Sequence, residues 1–268
     1  MSRRRTQKSG FEFPWWLLAL ALLGVVTLWA VLADATYNQI FLTVSRGIVT
    51  TLWVTFVAFA LACLLGLVVA LARTSKNRLL REIATFYTEL VRGIPVLVFL
   101  FYVAFVGAPW LVEVVNGLLD ALGADWLPRM TVRDFDFTWR AIVALTICYS
   151  SFIAEIFRAG IEAVDEGQIE AARALGLRPR HIFRHIVGPQ ALRTILPPLG
   201  NDFVSMIKDS ALVSALGVQD ITQLGKLSSA TSFKFFETYN VVAFLYLTMT
   251  ISLSLLVRLL EARMRRKR

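Results

Sequence analysis

Apolar residues occupy this chain in long unbroken blocks rather than in the alternation of a half-buried strand. The blocks at 14–33, 47–72, 96–106 with its flanks, 139–156 and 241–257 reach or approach the roughly 20 residues a helix needs to cross a bilayer. In lipid, backbone N–H and C=O groups are satisfied only inside helices or closed barrels, and barrel strands alternate where these blocks do not. The pattern predicts an all-α, polytopic membrane protein.

Basic residues between the blocks give the orientation. Arg3, Arg4, Arg5 and Lys8 precede the first block, whereas the connection 34–46 holds only Arg46. The loop 73–84 is rich again (Arg73, Lys76, Arg78, Arg81). The segment 107–138 has Arg129 and Arg133 against Glu113, Asp120, Asp125, Asp134 and Asp136. Arg173, Arg178, Arg180, Arg184 and Arg193 follow the fourth block, and Arg258, Arg263, Arg265, Arg266, Lys267 and Arg268 crowd the end. Cytoplasmic loops carry the Lys/Arg excess, so this alternation predicts that both termini are cytoplasmic. Parity then demands a further crossing between the basic loop 161–198 and the basic tail. Its place is 199–218, although that stretch contains Asn201, Asp202, Ser205, Lys208 and Asp209. Six transmembrane helices are expected. The first reads as a retained signal anchor, too long for a cleaved signal core. Helical apolar spacing at 112–122 predicts a short helix on the outer surface. No internal repeat is visible.

Composition agrees. Of 268 residues, 57% are hydrophobic and mean hydropathy is +0.63, which excludes an ordinary soluble domain. A net charge of +9 would suggest nucleic acid in a soluble protein, but here the cations gather at helix ends with no interleaved aromatics, so no nucleic-acid partner is expected. Cys63 and Cys148 lie inside apolar spans and read as packing residues.

The most structured polar stretch is 165–198. Asp165 with Gln168 three residues on forms a capping-box signature. Residues 169–175 read as a short helix, and Gly176 fits the left-handed position that ends it. Pro179 suits the first turn of a second helix over 180–187. Pro189, Pro197 and Pro198 are expected to break the chain before the next span. A capped helix pair between two spans reads as a docking surface for another protein.

The run Glu170-Ala171-Ala172-Arg173-Ala174-Leu175-Gly176, followed by Ile186 and Pro189, resembles the EAA loop of ABC importer permeases, with Gly188 where that pattern has Leu. Glu89-Leu90-Val91-Arg92-Gly93-Ile94-Pro95, Leu196-Pro197-Pro198-Leu199-Gly200-Asn201 and Ser210-Ala211-Leu212 are similar to motifs of the polar amino-acid (histidine/glutamine/arginine-type) permeases. The likeness covers roughly 47–260. It implies a five-helix type I importer core at 47–268, with the tail, extra helix and outer connection of 1–46 as an addition. It further implies a bacterial inner-membrane location and passage of polar amino acids. The implied partners are a cytoplasmic ABC ATPase dimer, a second permease subunit of the same or a paralogous kind, and an extracytoplasmic amino-acid-binding protein, besides membrane lipid. Glu170, Ala171, Ala172 and Gly176 would couple the loop to the ATPase. This chain is expected to be a transport subunit, not an enzyme. A phosphate-wrapping Walker A loop is missing: around Gly225-Lys226, Asp220 and Leu227 occupy the decisive positions. ATP and Mg are therefore expected on the partner, and no cofactor on this chain.

Ionisable residues at membrane depth face bundle interiors or wet cavities. Tyr149, Ser151, Asp202, Ser205, Lys208 and Asp209 are the expected substrate path, whose charges could hold an ammonium and a carboxylate. Glu155 and Arg158 are expected to pair with each other near the inner surface, and Glu89 with Arg92 reads as an exposed pair. His181 and His185, four apart, have no third ligand nearby and carry no metal assignment. The competing classes are an ion-coupled secondary transporter, which would show inverted repeats and broken helices in both halves, and a membrane enzyme, which would cluster catalytic groups. Neither signature is present.

Overall fold

The computed structural model describes residues 15–124 and 126–265. The expectations placed on Arg3, Arg4, Arg5, Lys8, Pro14, Asp125, Arg266, Lys267 and Arg268 fall outside them. The described elements are helical: α1 (Trp15–Ala33), α2 (Ala35–Val44), α3 (Gly47–Arg73), α4 (Arg78–Gly93), α5 (Val96–Tyr102), α6 (Ala108–Ala121), α7 (Phe137–Glu162), α8 (Glu166–Ala174), α9 (Pro179–Ile182), α10 (Gly188–Asp209), α11 (Ile221–Ser232) and α12 (Phe235–Arg265). Among the described residues, four stretches are long and apolar enough to cross a membrane: Ala35–Arg73, Val96–Ala121, Phe137–Glu162 and Phe235–Arg263.

The centre of the bundle is the α3–α7 pair. Lipid offers no hydrophobic drive between helices, so close packing of small residues must do the work. Ala58, Ala62, Gly66 and Ala70 recur every fourth position along α3 and are buried. A Cβ on Gly66 would sit 2.9 Å from the Ile153 side chain and 3.0 Å from the Ser150 carbonyl of α7. Ala141, Ala144, Leu145, Tyr149 and Ile153 fill the other side of this core, joined by Leu100, Met206 and Val213. Helix α4 lies against the same pair through Ala84, Thr88 and Val91, and its Tyr87 hydroxyl bonds the Ile147 carbonyl (3.1 Å) and Ser150 Oγ (2.6 Å) of α7.

Several connections expected as loops are helices. Most of 34–46 is α2, begun by Asp34, whose carboxylate accepts from the N–H groups of Thr36 (2.6 Å) and Tyr37 (3.3 Å). Only 74–77 of the expected 73–84 loop is non-helical, because Asn77 caps α4 at Leu79 N (2.9 Å).

Two further corrections share one cause. The surface helix expected at 112–122 is the far end of a helix that continues from α5. The second loop helix does not stop at Val187, nor do Pro189, Pro197 and Pro198 break the chain: α10 runs through all three. In both places a π-helical turn intervenes, Val103–Gly107 and Phe183–Val187. Its closing bonds reach back five residues, from Ala108 N to Val103 O and from Gly188 N to Phe183 O. A proline comes next each time, Pro109 and Pro189. Proline lacks an N–H and its ring collides with the carbonyl four residues back. The widened turn moves that carbonyl aside, so the helix continues. The helix over the stretch expected to cross at 199–218 starts earlier, at Gly188, and ends at Asp209. A 3₁₀ segment, Ser210–Leu216, follows, closed by left-handed Gly217 at φ 81°.

Candidate functional site

Helix α8 is fixed by its ends. Asp165 Oδ1 accepts from Gln168 N at 3.2 Å. The reciprocal half of the expected capping box does not form, since Gln168 Oε1 accepts instead from Gln190 Nε2 of α10 at 2.7 Å. At the other end Gly176 takes φ +77°. Its N–H reaches Arg173 O (2.9 Å) while Leu177 N reaches Ala172 O (3.1 Å), the paired bonds of a Schellman cap. Ala172 turns inward onto Val164, Ile182, Val187, Ala191 and Ile195. Glu170, Ala171 and Arg173 stand exposed, and Leu175 beside them is 81% exposed. The outcome is a short helix capped at both ends, with Glu170, Ala171 and Arg173 on its outer face, seated on a small apolar core.

Beside that core, ion pairs join α7 to α3. Glu155 of α7 accepts from Arg73 of α3 at 2.5 Å and from Arg158, and Arg158 also holds Glu162 at 2.5 Å. The expected Glu155–Arg158 pair thus forms and extends to a second helix. Glu89 and Arg92 do not pair in this way: the Arg92 guanidinium lies over the Phe152 ring, 5.5 Å from its centroid. His185 Nδ1 lies 3.0 Å from the carbonyl of His181, with the two rings stacked.

Within the bundle, Tyr149 of α7 donates to Asp209 Oδ2 of α10 at 2.8 Å. Asp202, two turns earlier on α10, has a buried Oδ2 with no hydrogen-bond partner among the described residues. Ser205 lies between them, partly buried. Ser151 is fully buried and donates to Cys148 O of its own helix at 2.7 Å. Lys208 is not on this side. It is exposed and lines a cleft bounded by Leu20 and Ala21 of α1 and by Thr250, Ile251, Ser254 and Arg258 of α12. The structure therefore separates two residues that adjoin in sequence.

Two buried polar centres escaped the sequence reading. Arg140, 6% exposed, donates to Phe135 O (2.6 Å), Ala104 O (3.1 Å) and Val132 O, and its guanidinium covers the Phe137 ring. It staples the segment before α7 to the helix of α5–α6. The available signal was a charged residue just inside the start of an apolar block. Asp220, fully buried, caps α11 through Gln223 N (2.8 Å) and accepts from Tyr246 Oη of α12 (3.1 Å). Thr51 Oγ1 accepts from Ile221 N at 3.4 Å. Gly47 lets α3 meet this turn, for a Cβ there would lie 2.7 Å from Asp220 O.

A small-residue helical bundle with polar groups in its interior and a capped, outward-facing helix pair at one end is the build of a membrane transport subunit that docks a separate protein. The sequence pattern of the binding-protein-dependent transport system inner membrane component family matches residues 62–266, and the chain belongs to that family. It is a transport-system membrane component and not an enzyme, and membership implies an energising ATPase and a substrate-binding protein as partners. The chain is 33% identical over 224 residues to the probable amino-acid permease protein YxeN of Bacillus subtilis, covering 84% of this chain and 92% of that one. It is 35% identical over 220 residues to the probable glutamine ABC transporter permease protein GlnM of the same organism, covering 81% and 91%. Among solved structures, an amino acid ABC transporter crystallised with histidines matches with a TM-score of 0.70 at 35% identity, over 87% of this chain and 97% of that one. A MetNI methionine ABC transporter, at 20% identity and a TM-score of 0.62, shares the fold.

Proposed function

We propose that this chain is one of two permease subunits of an ATP-driven importer of polar amino acids. The observation that carries the reading is the α8 cap. Gly176 at φ +77° and the inward Ala172 leave Glu170 and Ala171 free to enter a cleft on a cytoplasmic ATPase. The substrate class rests on relatives named as amino-acid and glutamine permeases.

In this reading the chain crosses the inner membrane six times, α10 being the polar fifth crossing, with both termini cytoplasmic. It pairs with a copy of itself or a paralogue and receives substrate from an extracytoplasmic binding protein. Nucleotide and Mg²⁺ stay on the ATPase. Tyr149, Asp202, Ser205 and Asp209 line the side of α10 that substrate passes. Asp202 supplies an unpaired acceptor there, suited to an ammonium group. ATPase movement, delivered through α8, switches the side on which this path is open.

Reconstitution tests the reading. Proteoliposomes holding this chain, the ATPase and the binding protein should accumulate a radiolabelled polar amino acid only with internal ATP. Uptake by the chain alone, driven by a proton or sodium gradient, would instead make it a secondary transporter.

A further inference from the structure

The cleft that holds Lys208 lies between α1, α10 and α12 and encloses about 530 Å³. Its walls are Leu20, Ala21, Val204, Ile251 and Leu255, and its polar groups are Lys208, Arg258 and the hydroxyls of Thr250 and Ser254. Among the described residues no acidic side chain lines it. Glu261, three residues beyond Arg258, lines a neighbouring cleft instead. Neither cation has an ion-pair or hydrogen-bond partner among the described residues.

The two cations converge. A Cβ on Gly200 would touch Val257, while Val204 and Lys208 share the cleft with Thr250, Ile251 and Ser254, so α10 and α12 run antiparallel. Helical side chains lean toward their own helix N-terminus. Lys208 therefore leans toward the level of Ser254, and Arg258 leans toward that level from the other end. Residues 239–257 of α12 carry no charge, which puts Arg258 at the edge of the hydrocarbon and Ser254 one turn below it. A bare ammonium deeper still is costly unless something neutralises it.

We infer that this cleft is a binding site for an anionic phospholipid of the leaflet at the Arg258 end. The phosphate sits between Arg258 and Lys208 near Ser254, with an acyl chain against Leu20, Ala21 and Leu255. Basic pockets between transmembrane helices suit such headgroups. A partner's helix is a poorer occupant, because it is about 10 Å across and α1 already takes one side of the cleft. The site also gives α1 a role: this helix lies outside the family match at 62–266 and supplies one wall.

The test counts lipids on the assembled transporter in detergent by native mass spectrometry, titrating dioleoylphosphatidylglycerol or dioleoylphosphatidylcholine. The anionic lipid should bind more tightly. Lys208→Met/Arg258→Met should weaken it about thirtyfold, at roughly five- to sixfold per cation, and leave phosphatidylcholine unchanged. Lys208→Arg/Arg258→Lys should retain binding within about threefold. Leu20→Trp fills the cleft from α1 without touching either charge. It should expel the same lipid, and it serves if the Met pair does not fold. Unchanged phosphatidylglycerol binding in the Met pair or in Leu20→Trp overturns the proposal. So does full displacement by inorganic phosphate, which marks a soluble-anion site, or loss of the permease pair with lipid counts unchanged, which assigns the cleft to a second subunit.

Discussion

The Tyr149 hydroxyl donates to Asp209 Oδ2 at 2.8 Å, which bonds the middle of α7 to the last residue of α10 inside the bundle. Tyr149 is 4% exposed, so water cannot readily replace it. A hydrogen bond to a charged group contributes about 1.5–3 kcal/mol. Tyr149→Phe should lower stability by that order and reduce uptake while the subunit still inserts. Asp209→Asn keeps an acceptor for Tyr149 and removes only the charge. It should fold like the parent yet transport less. Equal uptake in Asp209→Asn and the parent would take Asp209 out of the substrate path.

Lys208 and Asp209 adjoin in sequence but serve different sides of α10, with no shared partner. Their effects on folded yield should therefore add. A double-mutant cycle of Lys208→Met and Asp209→Leu should show coupling below about 0.5 kcal/mol. A larger coupling would mean that the two form an ion pair.

Gly176 ends α8 at φ +77°, a region closed to β-branched residues. No neighbouring atom crowds the position, so the penalty of Gly176→Val comes from backbone strain, about 1–3 kcal/mol. Confined to the loop, that strain should spare membrane insertion but abolish co-purification of the ATPase and ATP-driven uptake. Retained uptake would remove α8 from the coupling mechanism.

Arg140→Met should leave three carbonyls of the segment before α7 and of α5–α6 without their donor. The expected loss is about 3 kcal/mol, read as a fall of roughly 5–10 °C in apparent Tm. Arg140→Lys should recover only part of it, because an ammonium cannot reproduce the planar fork.

Single cysteines in a Cys63/Cys148-free chain test the orientation. An impermeant thiol reagent applied outside intact cells should label position 231 and spare positions 76 and 178. Labelling of 231 only from inside would remove α10 as a crossing.

Much of this was legible in the residues because its causes are local. Asp165, Gly176 and Pro179 specify the loop helices through capping geometry that depends on a few neighbours. The apolar blocks marked five stretches near spanning length, and the last four coincide with the long apolar helices of the structure. Proline misled the reading at Pro189, Pro197 and Pro198, which α10 runs through; before Pro189 the π turn begins six residues ahead of the ring it accommodates and leaves no compositional mark. Arg140 and Asp220 were hidden for another reason. Their partners are carbonyls and hydroxyls of distant elements, and only the folded bundle brings those together. The rotation of α10, which sends Lys208 and Asp209 apart, depends on packing by α3, α7 and α12.

Helix α10 runs without a break from the end of the α8–α9 segment to Asp209. Over its 22 residues it is about 33 Å long, so it works as a lever. A 10° tilt pivoting at Asp209 would carry the loop end about 6 Å. Pro197 and Pro198 lie inside it and remove two successive N–H donors, so the rod flexes there more readily than elsewhere. Gly200 rests against Val257 just beyond this point. On the proposed reading, the arm nearest the loop swings while the arm ending at Asp209 is held by α12, and the prolines set how much of an ATPase stroke reaches Asp209.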